Sequence, residues 1–290
     1  MIAPDGYLQP TRLEAALAEL ARTPYTVVAG GTDIYPACVG GDPPAALLDV
    51  SQLPETRGIE WRADGNALRI GATATWSDLL RHPLPAHARA LVQAAREIGG
   101  VQIQNRATVG GNLCNASPAA DGIPPLLALD ASVELASERG SRRLPIDRFV
   151  LGNRRTALGT DELLTSIFIP ARSSNALSTF LKLGHRRYLV ISIVMVAIVL
   201  DFDAQKRVTY CGVSVGACSA AACRLPVLER GLTGVARSDL CTRATHLLDA
   251  GALAPLAPVD DVRSTREYRL DAARCLIERA LAELVDEAGA

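Results

Sequence analysis

Between Thr11 and Arg22 the apolar residues Leu13, Ala16, Leu17 and Leu20 recur every three or four positions. That spacing predicts a helix with one buried face, with Thr11 placed as its N-cap. Tyr25–Ala29 then reads as a short strand running into Gly30-Gly31, and Ala46–Val50 as a second. Further on, Ala67–Ala72 predicts a strand, Thr75–Arg81 a short helix capped by Thr75, and Ala86–Ile98 a longer helix. Ala131–Ala136 alternates as a half-buried strand does, and Leu163–Ile169 is another strand, stopped by Pro170. Past Pro170 the texture changes to three antiparallel strands, Ser178–Leu183, Ile191–Phe202 and Val208–Ala217. The polar turn Asp201–Lys206 joins the last two. Helices follow over Asp239–Ala250 and Ser264–Val285, the second with an amphipathic stripe.

This pattern predicts an α+β chain in two parts, with the boundary near Arg172–Asn175. Residues 1–172 form one domain, itself split into subdomains of about 1–55 and 56–172, and residues 173–290 form a C-terminal domain with a three-stranded antiparallel sheet and helices. A length of 290 residues suffices for two cores.

Charge narrows the classes of function. With 30 Lys and Arg against 31 Asp and Glu, no strong field attracts nucleic acid or anionic membrane. The longest apolar run, Leu189–Leu200, covers about 12 residues and is too short to span a bilayer. Met1–Asp5 lacks the basic-then-apolar pattern of an export leader, so the expectation is a cytoplasmic protein. Seven cysteines, none two residues from another, fit neither a disulfide framework nor a metal clip, and the four histidines are scattered. Buried free thiols and no metal site are expected.

Chemistry concentrates in two glycine pairs. Val27-Val28-Ala29-Gly30-Gly31-Thr32-Asp33-Ile34 follows a strand, and its successive N–H groups could wrap a phosphate as an anion nest does. Thr108-Val109-Gly110-Gly111-Asn112 is a second such loop, with the polar segment Ser117–Asp121 close behind. Two unrelated tight turns explain the glycines equally well. Neither loop carries the G-x-G-x-x-G or G-x-x-x-x-G-K-[ST] fingerprint, which disfavours Rossmann and P-loop readings, and the pair of loops alone points no further than a nucleotide-type cofactor with its diphosphate between two lobes.

The order and spacing of these segments resembles the FAD-binding medium subunits of the xanthine dehydrogenase and carbon monoxide dehydrogenase family, the molybdenum hydroxylases. The resemblance runs over essentially the whole chain, through Ile70–Ala72 with Thr75, Ile98–Arg106, Thr160–Pro170, Lys182 with Arg186-Arg187, and Asp260–Arg269. It implies a two-subdomain FAD-binding domain of the vanillyl alcohol oxidase (PCMH) type. FAD would lie between the subdomains, its diphosphate held by backbone N–H groups of Val27–Ile34 and of Thr108–Asn112. Asp121 would face the nucleotide half of FAD, Leu164 would make a backbone or apolar contact, and Lys182 would reach FAD from the C-terminal domain. Ile98 stands where some relatives place an aromatic ring, and it offers none.

Each has a plainer alternative: Asp121 as a helix cap before Gly122, Lys182 as a solvated strand residue, Leu164 and Ile98 as core. Cys114, just after the second loop, is either near FAD or a structural thiol. The cysteine spacing argues against those reductase relatives with an extra iron–sulfur cluster in this subunit. The family likeness also implies partners: a large molybdenum cofactor subunit and a small 2Fe-2S subunit, with NAD+, oxygen or a membrane-linked carrier as acceptor. No catalytic residue is expected in this chain. A self-sufficient flavin oxidase of the vanillyl alcohol oxidase type and a non-catalytic scaffold subunit are the competing readings. The roughly 120 residues after Pro170 are few for the oxidase's substrate cap.

Overall fold

The computed structural model describes residues 6–42 and 44–287; Met1–Asp5, on which the export-leader reading rests, lie outside them. Three sheets organise the chain, and the strand pattern along the sequence follows their burial.

The first sheet is small and parallel. β1 (Tyr7–Leu8) and β2 (Thr26–Val28) flank β3 (Leu47–Asp49), with Val27 paired to Leu48. Helix α1 (Leu13–Arg22) lays Ala16, Leu17 and Leu20 on a core shared with Leu48, Val50 and Leu53. It begins at Leu13, and its N-cap position is Arg12, whose side chain makes no capping bond. The expected Thr11 cap therefore fails, and packing of the apolar stripe defines this helix rather than its start signal. The four-residue α2 (Ile34–Ala37) follows the first glycine pair.

The second sheet is antiparallel, in the order β4 (Ile59–Trp61), β5 (Ala67–Gly71), β10 (Leu163–Pro170), β6 (Ser132–Ser137), β7 (Gly140–Pro145). Central β10 pairs Ile167 with Ile70 on one side and Val133 on the other, and is buried almost throughout. The sequence pattern leaves out β7, an exposed edge reading Gly-Ser-Arg-Arg, because it buries no face that would produce alternation. Between β5 and β6 run α3 (Trp76–Arg81), α4 (Arg89–Glu97), α5 (Val101–Gln104), α6 (Val109–Asn115) and α7 (Ile123–Ala128). The helix expected over Ala86–Ile98 splits into a 3-10 turn, Ala86–Ala88, and α4. After β7, α8 (Ile146–Phe149) and the small hairpin β8 (Val150–Gly152)–β9 (Arg155–Thr156) lead to β10.

The C-terminal sheet has four strands, not the three expected: β11 (Leu177–Leu183), β12 (Val194–Phe202), β13 (Val208–Gly216) and β14 (Cys223–Arg224). β14 is two residues long, too short to show a period, and pairs Val215 with Cys223. Helices α9 (Pro226–Leu232), α10 (Leu240–Asp249) and α11 (Arg266–Glu287) cover one face, α11 through Ala273, Leu276, Ile277, Ala280 and Leu284.

β12 explains the longest apolar run. Its Val194, Val196, Ile198 and Leu200 enter the helix-covered core, while Met195, Ala197 and Val199 enter the core around α4 and α7. A strand buried on both faces carries no alternation. It also welds the two parts of the chain along one surface.

Among the seven cysteines, all free, only Cys211 and Cys218 are buried; Cys114, Cys241 and Cys275 are exposed. The expectation of buried thiols thus holds for a minority. No group of acidic, histidine or cysteine residues able to hold a metal occurs among the described residues.

A candidate dinucleotide cleft between two lobes

The first glycine pair sits where β2 ends. Gly30 touches the other lobe: a Cβ there would stand 1.9 Å from the Arg106 carbonyl oxygen, so only glycine permits this approach. Gly31 has φ +72°, a left-handed backbone that a side chain would strain. Beyond it the chain turns into α2, with Tyr35 N–H donating to the Gly31 carbonyl. Among the described residues, the N–H groups of Gly30, Gly31, Thr32 and Asp33 donate to no acceptor of the chain. Successive unpaired N–H groups on one bend form a concave donor surface for an anion.

The second glycine pair is built differently. Thr108 caps α6, its Oγ1 accepting from Gly111 N–H at 3.0 Å. Val109 N–H donates to Ala74, Gly110 N–H to Ala72 and Asn112 N–H to Thr108, all backbone carbonyls. Of the five N–H groups expected to wrap a diphosphate here, those of Val109, Gly110, Gly111 and Asn112 are bonded within the chain. Gly110 is glycine because a Cβ would meet the Ala72 carbonyl oxygen at 2.6 Å. The second loop thus offers few free backbone donors, while the first leaves a run of them open.

The two loops line one cavity of about 450 Å³, within the usual size range of ligand pockets. Val27, Ala29 to Ile34, Thr108, Gly110, Gly111 and Asn112 face it together with Ile98 and Leu164. Val28 and Val109, at 1% and 0% exposure, point into the cores instead. Sequence reasoning missed Val50, Ala72, Thr73, Trp76, Ile103, Ala107, Asn115, Leu158 and Leu163 on its walls. All but Thr73 and Asn115 are apolar or aromatic, and nothing in a sequence separates such residues from core.

Asp121 and Lys182 do not line this cavity; they meet each other. Lys182 Nζ donates to Asp121 Oδ2 at 2.8 Å and to the Glu97 carbonyl at 3.4 Å, and Ser192 Oγ donates to Asp121 Oδ1 at 2.6 Å. Burial raises the Asp121 carboxyl, and the Lys182 ammonium opposes that shift. Both carboxylate oxygens are engaged, and the pair clasps the segment before α7 to β11. Asp121 makes no capping bond to α7, and Lys182 is not solvated, so the plainer alternatives fail too.

Among the described residues, the cleft holds two titratable side chains, Asp33 and Cys114. The Cys114 thiol is reachable through the cavity yet surrounded by protein elsewhere, and burial pushes its pKa up to about 12. A thiol so held is neither a nucleophile nor an acid–base group near neutral pH.

Two lobes, an open donor loop and an apolar-walled cleft suit a cofactor-holding protein of the dinucleotide type. Residues 3–172 match the family model described as the FAD binding domain in molybdopterin dehydrogenase, and residues 179–284 that of the CO dehydrogenase flavoprotein C-terminal domain. The chain belongs to this family: it is an FAD-binding medium subunit of the xanthine and carbon monoxide dehydrogenase type. It is 30% identical to the xanthine dehydrogenase FAD-binding subunit of Escherichia coli O157:H7, over 98% of this chain and 97% of that one. Against the nicotinate dehydrogenase FAD-subunit of Eubacterium barkeri it is 36% identical, over 65% of this chain and 66% of the relative. Its fold is similar to a chain of carbon monoxide dehydrogenase from Hydrogenophaga pseudoflava, at TM-score 0.86 and 27% identity, covering 95% of each.

The residues present fit FAD. Besides the open N–H groups of the first loop, two buried polar atoms beside the cleft, Trp76 Nε1 and Asn112 Oδ1, lack any partner in the chain. No described helix is long and apolar enough to cross a membrane.

Proposed function

We propose that this chain relays electrons within a molybdenum hydroxylase, holding FAD between a small 2Fe-2S subunit and an external acceptor such as NAD+. A large molybdenum cofactor subunit would oxidise the organic substrate. FAD, when bound, supplies the exchange between one- and two-electron transfer. The first loop, Val27–Ile34, receives the diphosphate on its open N–H groups, and the second, Thr108–Asn112, supplies side chains and a close approach. Ile98 and Leu164 give apolar contact. Residues 1–172 serve as the cofactor domain and 173–290 as a buttress joined through β12.

The observation that carries this reading is the cleft itself: open donors on one lobe and a mainly apolar wall whose titratable side chains, among the described residues, are Asp33 and Cys114. The same observation disfavours the self-sufficient oxidase, and the C-terminal sheet packs on α4 and α7 with β12 buried between two cores. The open donor loop speaks against a scaffold with a degenerate pocket. Purification of the chain tests both points. Flavin absorption bands, with co-purification of a larger and a smaller partner from the native source, support the relay; a colourless chain defeats it.

A further inference from the structure

Beside the cleft the surface turns apolar for no reason internal to the chain. Val101, Tyr188, Leu189 and Ile191 are each more than half exposed, and Ile103, more than a third exposed, also lines the cleft. The two segments meet: a Cβ on Gly100 would stand 3.5 Å from Leu189 Cδ2, and one on Gly99 2.8 Å from Ile103 Cβ. Leu189 has φ +53°, a left-handed backbone that its side chain strains. Arg186 Nε donates to the Leu189 carbonyl at 3.2 Å and holds the turn in that shape. A strained leucine facing water is doubly unfavourable in the free chain, and such apolar patches mark surfaces that a partner covers.

The charges around this patch are mainly positive. A concavity of about 630 Å³ opens next to it, and Arg96, Arg186 and Arg187 line it together with Lys182 and Glu97. Lys182 is committed to Asp121, and Glu97 is the one carboxylate among the described residues lining the concavity. The Arg187 guanidinium lies 5.2 Å from the centre of the Tyr188 ring, so the cationic and apolar parts form one surface. Glu97 faces this concavity and the next residue, Ile98, faces the cleft. The surface therefore reaches the cleft wall.

We propose that this face docks a small acidic electron-carrier protein, which takes electrons from the cofactor at the cleft mouth. The proposal rests on the relay reading above and names a class of acceptor for it. Arginines around an apolar centre are complemented by carboxylates around an apolar centre. Five apolar residues and three arginines are few beside the roughly 20 to 30 residues on each side of a standard interface, and small contacts suit transient electron transfer. Two carriers, accepting one electron each, oxidise one fully reduced flavin, and its two protons pass to water.

The test uses the assembled complex, photoreduced without oxygen and mixed with cytochrome c or with succinylated cytochrome c, whose lysines have become carboxylates. Stopped-flow absorbance gives the second-order rate for each, and a small neutral quinone reports on the flavin itself. The succinylated carrier should react about tenfold faster at low salt, and this advantage should fade towards about 0.5 M salt. The double variant Arg96→Glu, Arg187→Glu should lose the preference and keep its rate with the quinone. Leu189→Gly should slow the succinylated carrier severalfold without lowering the melting temperature, because glycine accepts the left-handed backbone. Equal rates for the two carriers, a preference that survives the double variant, or a lower melting temperature in Leu189→Gly would overturn the proposal. So would loss of a subunit from the double variant on gel filtration, or capture of the parent but not the variant by anionic phospholipid vesicles, since either gives the face another occupant. If nothing, the quinone included, oxidises the reduced complex, the relay reading itself fails.

Discussion

At Gly111 the only atom in the way of a side chain is Thr108 Oγ1, 2.8 Å from where a Cβ would stand; the other side opens on the cleft. A branched residue there competes with ligand more than with the fold. Gly111→Val should therefore reduce FAD occupancy at least tenfold, at a helix-propensity cost near zero since Val propagates a helix no worse than Gly. Full flavin content in that variant would remove the second loop from the site. Cys114 leads to a prediction of the opposite kind. Its pKa of about 12 leaves almost no thiolate at neutral pH, and the cleft holds no histidine. FAD should be bound noncovalently and be released whole by acid precipitation. Flavin retained on the precipitated polypeptide would contradict this.

Elements show why some of the fold could be read from the chain and some not. Helix α1, the Thr75 cap, β10 and the β12–β13 hairpin were legible because each buries one patterned face or carries a specific turn or cap residue. The exposed edge β7 and the two-residue β14 carry no such pattern, and the end of α4 at Glu97 depends on tertiary packing. The glycine loops were legible as loops, but which N–H groups they leave open was not. That depends on whether Ala72 and Ala74, distant in sequence from the first loop, present carbonyls to the second. Likewise Asp121 and Lys182 were singled out only by the family resemblance, and nothing local revealed that they pair across 61 positions.

One element-scale link is testable by pH. Glu162, at the entry to β10, accepts from Arg142 Nε at 2.6 Å and from Gly159 N–H at 2.7 Å, and the Arg142 guanidinium holds its carboxyl below the ordinary range. A depressed folded pKa stabilises the chain above the ordinary glutamate range, and the gain is lost as pH falls through the folded value. Glu162→Gln should therefore cost about 1 kcal/mol at pH 7, modest because Arg142 is half exposed. The difference from the parent should shrink below pH 4. Melting curves at pH 7 and pH 3.5 check it, and a penalty that grows towards acid would reverse the assignment.

At the scale of the whole molecule, β12 ties the cofactor lobes to the C-terminal sheet by entering both cores, so the cleft is held by one continuous packing. What that packing presents to a substrate is apolar wall, one exposed aspartate and one protonated thiol. No described cluster of residues can hold a metal, and no cysteine spacing suits an iron–sulfur centre. The relay proposed above leaves the oxidation of an organic donor to another subunit. Loaded with FAD and kept anaerobic, the isolated subunit should leave its flavin absorption unchanged on mixing with purine, N-heterocyclic or aldehyde substrates. NADH with a dye acceptor should still give slow turnover, because a nicotinamide needs only access to the flavin ring. Addition of the iron–sulfur and molybdenum subunits from the same source should restore substrate-dependent bleaching. Rapid bleaching of the isolated chain by an organic substrate would sink the relay and restore the oxidase reading. Bleaching absent even in the reassembled complex would show that electrons do not pass through this subunit.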